Sequence, residues 1–102
     1  MKPEESPEAR RRAIELLEAN HGFPCSFSLS VIARTDEAVE AALLAAAAVG
    51  LGQALAKDAH HRKPSTHGKY VSHRLNIPCE SAEAVLDLFA RLRAVDGVIT
   101  IL

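Results

Sequence analysis

The chain has no tryptophan, one tyrosine and three phenylalanines in 102 residues. So few aromatics argue against an RNA-binding sheet, which stacks bases on exposed rings. Cysteine is also scarce. Two residues are too few for a disulfide framework, so reduced thiols in a cytoplasmic protein are the expectation. No long hydrophobic run is present: the longest, Ala41 to Leu51, is mostly alanine and too short to cross a bilayer. The stretch through Arg12 is charged and lacks the apolar segment of a secretory leader. No membrane partner is expected. Nor is there an excess of charge. With a formal net charge of −1, no whole-molecule field draws in nucleic acid or an anionic surface.

What is present is ordinary for a soluble domain: 48% hydrophobic and 25% charged residues. The length suits one domain spanning 1–102, with 1–5 a loose tail, 6–21 a helix and 23–102 the core. Charge is unevenly placed. Residues 57–74 carry Lys57, Arg62, Lys63, Lys69 and Arg74 against Asp58 alone, plus His60, His61, His67 and His73. One end or face is therefore expected to be basic and to suit an anion.

Ser6-Pro7-Glu8 reads as a helix start, with a capping serine, proline in the first turn and an acid beside it. Phe23, Cys25, Phe27, Leu29 and Val31 then alternate with Pro24, Ser26, Ser28, Ser30 and Ile32, a strand with one core face and one wetter face. Thr35 or Asp36 caps a helix to about Val49, with Val39, Leu43, Ala46 and Val49 or Gly50 as its inward stripe. Residues 56–62 suggest a short polar edge strand and 63–68 a loop. Val71, His73, Leu75, Ile77 and Cys79 make a second apolar face. Ser81 caps a last helix with Val85, Leu88, Phe89 and Leu92 inward, and Val98 to Leu102 is β-prone.

This order predicts an α+β, ferredoxin-like βαββαβ fold: a four-stranded antiparallel sheet, two helices on one face, and an added N-terminal helix. The first and third strands would be central. Cys25 and Cys79 would then lie at the same end of the sheet with the same inward parity, either as small reduced core residues or as a redox pair. Strand parity also turns His73 toward the core, where a neutral, hydrogen-bonded imidazole is expected. An unpaired apolar edge at Val98–Leu102 predicts a homodimer through that edge.

Lys63-Pro64-Ser65-Thr66-His67-Gly68-Lys69-Tyr70 is the densest motif. It is not a Walker phosphate loop, because the glycine and the Ser or Thr that frame Gly-Lys are replaced by Lys63 and Tyr70. Turn chemistry alone accounts for its proline, serine and glycine. The functional alternative has Lys63, Ser65, Gly68, Lys69 and Tyr70 holding a carboxylate or phosphate. Together with Phe23-Pro24-Cys25-x-Phe27 and the closing apolar strand, this loop resembles the YbeD-like family of small bacterial proteins of unassigned function, across about Ile14 to Leu102. Thr66, His67 and His73 depart from that family's pattern. The resemblance implies a ferredoxin-like fold akin in shape to ACT-type ligand-binding domains, and a regulatory or lipoate-linked role. It supplies no catalytic residues.

Ser26, Ser28 and Ser30 have no histidine fixed near them, and no His or Cys pair has metal-ligand spacing. The expectation is a non-enzymatic regulatory or binding module without a cofactor, acting on a protein partner or small anion. The alternatives are a lipoyl-type or other anion site at 63–70, and a metal- or redox-responsive protein using the histidines and cysteines.

Overall fold

The computed structural model describes residues 6–102, so the tail expected at 1–5 lies outside the described residues. Its elements follow the order α1 (Pro7–Asn20), β1 (Cys25–Arg34), α2 (Glu37–Leu51), β2 (His60–Pro64), β3 (Tyr70–Cys79), α3 (Ala82–Arg93) and β4 (Val98–Ile101). The four strands form one antiparallel sheet in the order β2-β3-β1-β4, with the two ten-residue strands in the middle. This is the ferredoxin-like arrangement.

Local chemistry starts each helix. Ser6 Oγ accepts the Ala9 N–H at 3.1 Å, Asp36 Oδ1 accepts the Ala38 N–H at 2.8 Å, and Ser81 Oγ accepts the Ala84 N–H at 3.2 Å. Each bond satisfies a donor that the helix itself cannot pair. The core lies between the sheet and two helices: Leu29, Val31, Leu75 and Ile77 from β1 and β3 meet Leu43 and Ala47 from α2 and Val85, Leu88 and Leu92 from α3. Full burial of a Leu, Ile or Val side chain contributes roughly 1.5–3 kcal/mol. α1 buries none of its residues. It lies along the periphery, with Leu17 packed against the core cluster and Arg10 3.6 Å from Asp87 of α3.

Three expectations need correction. The strand expected over 56–62 is a 3-10 turn at Lys57–Ala59 followed by β2 at His60–Pro64. Pro64 belongs to the strand rather than the loop because β2 is an edge. Ser65 N–H points to Tyr70 O at 2.8 Å, so the N–H that Pro64 lacks would face away from the sheet. In α2 the fully buried stripe is Val39, Leu43 and Ala47; Ala46 packs against the core only in part, and of the alternatives Val49 and Gly50 it is Gly50 that faces Leu88 and Arg91 of α3. Val49 is 63% exposed. A run of alanines offers no polar contrast from which the inward face could be read. In α3, Ala82 is buried with Val85, Leu88 and Leu92, while Phe89 is only partly covered.

The turn into β4 is held by Gly97, whose φ is +101°. A Cβ there would lie 2.6 Å from Val39 Cγ2, against the buried start of α2. Gly97→Ala is therefore expected to lower stability by about 1–3 kcal/mol in urea unfolding. Gly22→Ala, with nothing within 4 Å of its Cβ, should change it by less than about 0.5 kcal/mol.

Candidate functional site

Both helices of the core pack on one side of the sheet, and among the described residues no helix covers the other side. The period-two alternation of β1 and β3 decides which side chains stand there: Ser26, Ser28, Ser30 and Ile32 from β1, and Tyr70, Ser72, Arg74 and Asn76 from β3. His61 and Lys63 of β2 join them, opposite Arg74 and Ser72. Ser28 Oγ donates to Asn76 Oδ1 across the central ladder. Ser30, Ile32, His61, Lys63, Ser72 and Arg74 line a shallow depression of about 680 Å³.

The charge on this sheet is one-sided. None of the four strands contains an aspartate or glutamate, while they carry Arg34, Arg62, Lys63 and Arg74. Arg34 has a partner outside the sheet, 3.9 Å from Asp96, and Arg62 lies 2.9 Å from Glu40 of α2. Among the described residues no carboxylate pairs with Lys63 or Arg74, which stand on neighbouring strands beside the hydroxyls of Ser30 and Ser72. Cations on adjacent strands repel one another until an anion joins them.

The 63–70 loop divides the residues that its motif suggested. Gly68 N–H donates to Ser65 O at 3.0 Å, and Tyr70 N–H donates to Ser65 Oγ at 3.2 Å. Gly68 takes a φ of +74°, so Ser65 and Gly68 shape the turn. Lys69 ends it, its carbonyl accepting the Thr35 N–H at 3.0 Å. Lys63 and Tyr70 instead belong to strands and stand on the open face. His61 and Arg74 figure in the sequence only as members of the basic 57–74 stretch, and Ser30 and Ser72 not as site residues at all, although strand parity together with carboxylate-free strands carried that signal.

On the helix side, His73 is 1% exposed and Cys79 4% exposed. His73 Nδ1 shares a hydrogen bond with His60 Nε2 at 2.9 Å, and the two rings stack with centroids 5.2 Å apart. His60 and His61 are adjacent in sequence but serve opposite faces: His61 Nε2 meets the Asp58 carbonyl at 3.1 Å. Among the described residues no three His, Cys, Asp or Glu side chains converge as metal ligands would. Cys25 and Cys79 are directly opposed across the central ladder, and both are free thiols.

A family model described as "Protein of unknown function (DUF493)" matches residues 18–102, and the chain belongs to that family, the YbeD family. No curated protein and no solved structure matches it. Among the described residues no helix is long and apolar enough to cross a membrane.

Burial, then the neighbouring His60 and Arg62, push the His73 imidazole below its ordinary pKa, with Glu40 opposing. The folded state therefore resists a proton that the unfolded chain accepts below about pH 6.5. The stability this histidine contributes is fully present above that pH. It is lost as pH falls toward the depressed folded value. The urea midpoint should drop between pH 7 and pH 5, and the drop should be smaller in His73→Leu.

Proposed function

We propose that this member of a family of unknown function is a non-enzymatic binding module that takes an anionic ligand or an acidic segment of a partner protein on the open face of its sheet. The reading is carried by one observation: a four-stranded sheet without a single carboxylate side chain, on whose uncovered face Lys63 and Arg74 have no acidic partner among the described residues. A guanidinium offers paired N–H donors that match the two oxygens of a carboxylate or phosphate, and an ammonium adds a point charge. Ser30 and Ser72 stand beside them with hydroxyl donors, so an oxyanion across β1, β3 and β2 would meet charge and directional hydrogen bonds together.

An anion or lipoyl-type site within the 63–70 loop is less well supported. Its serine and glycine are already engaged in closing the turn. The two readings separate in one calorimetric series with inorganic pyrophosphate as the probe. Arg74→Glu should weaken binding at least about tenfold, or ~1.4 kcal/mol, with the thermal midpoint nearly unchanged. Lys69→Glu should have the smaller effect. The reverse order would return the site to the loop.

The sheet also favours pairing with a second copy. Its β2 edge carries Arg62, Lys63 and Pro64, which discourage strand addition, whereas the β4 edge exposes Ile99 at 57%. Pairing β4 with its counterpart across a two-fold axis would extend the open face over both copies. Light scattering at tens of micromolar should report twice the 11.0 kDa chain mass, and Ile99→Lys should restore the monomer. A wild-type monomer at that concentration removes the dimer from the account and leaves the face untouched.

A further inference from the structure

We propose that Cys25 and Cys79 form a reversible dithiol–disulfide site that is oxidised by small-molecule disulfides. The two residues are register partners on the central strands, share the inward parity, and close the ladder: β1 begins at Cys25 and β3 ends at Cys79. Ser30 both donates to and accepts from Leu102 beyond β4, so the even-numbered residues of β1 direct their backbone groups toward β4. The odd-numbered residues, Cys25 among them, direct theirs toward β3. Cys25 and Cys79 therefore sit at a hydrogen-bonded position of the ladder, where Cα atoms are about 5.5 Å apart. That spacing is within disulfide reach, but the Cβ atoms of such pairs, at about 4.5–5.5 Å, are wider apart than a relaxed bridge prefers. Closing the bond requires a small shift, and the strained product is readily reduced. The end of the ladder is where such a shift is easiest.

Access divides the roles. Cys25 is half-buried and is the thiol that a reagent meets first. Burial, and the Cys25 thiol beside it, push the Cys79 thiol up, which suits a slower, resolving partner. A depression of about 260 Å³ between the end of α2 and α3, lined by Gly50, Gln53, Cys79 and Leu88, leaves room beside Cys79. In the reaction, the Cys25 thiolate attacks one sulfur of the small disulfide, and the S–S bond breaks. The departing thiolate takes its electron pair and then a proton from water. Cys79 gives its proton to water and attacks Cys25 Sγ, expelling the second small thiol. The protein loses two hydrogens, and the small disulfide is reduced to two thiols. No step depends on the open face of the sheet.

The test incubates the folded chain with oxidised glutathione, then quenches, unfolds and alkylates it before mass analysis. The expected product is a monomer two hydrogens lighter, without alkylation, and with the Cys25 and Cys79 peptides linked. Excess reduced glutathione should return both thiols. Cys79→Ser should instead retain one glutathione on Cys25, and Cys79→Ala serves if the serine variant does not fold. The proposal is overturned if wild-type protein keeps both thiols alkylatable, accumulates a lasting glutathione adduct on Cys25, or forms a disulfide-linked dimer.

Discussion

The rest of the structure depends on the antiparallel pairing of β1 with β3. Its register runs without a break from Cys25 opposite Cys79 to Arg34 opposite Tyr70. Because side chains alternate along a strand, this one register sends Leu29, Val31, Ala33, Val71, Leu75 and Ile77 into the core together. A slip of one residue would place serines and arginines beneath the helices. The edge strands are then attached to a sheet whose faces are already assigned, and a bulge between Ile32 and Ala33 adjusts β4 without disturbing the central pair.

The same alternation produces the chemical difference between the two faces. The inner face holds a single polar side chain fully buried, His73, which is satisfied by His60 at 2.9 Å. The outer face gathers serines, Asn76, Arg74 and Lys63, with no helix above them among the described residues. Acidic residues are plentiful in the chain, and those among the described residues reside in helices, turns and loops, such as Glu37, Glu40, Glu83 and Asp87. The near-zero net charge thus hides a polarised surface. A field too weak to steer a ligand from a distance still fixes which surface an anion would meet at close range.

Much of the fold was legible because its main signals are local. The period-two runs around Leu29 and Leu75 identified both central strands, their inward residues and the opposition of Cys25 and Cys79. The capping residues Ser6 and Ser81 marked two helix starts, and Asp36 was one of two candidates for the third. What escaped had no local signal. Val39 and Leu43 marked the inward side of α2, but its alanines left the exact stripe open, since a methyl group fits either side: Ala47 is fully buried and Ala46 only partly. The start of β2 was obscured because an edge strand tolerates polar residues and proline. The loop drew notice because its residues are contiguous, whereas Ser30, Ser72, Arg74 and Lys63 meet only once three strands are aligned. Parity could have assembled that face from sequence, but only after the strand order was assumed.

Amide chemical-shift mapping on the native chain, titrated with inorganic pyrophosphate, tests the assignment of the open face most directly. The account predicts perturbations that cluster on Ser30, Lys63, Ser72 and Arg74, with the Cys25 end of β1 and the helices unmoved. Perturbations confined to the Ser65–Lys69 turn, or spread over the helix side around His60 and Leu44, would contradict it.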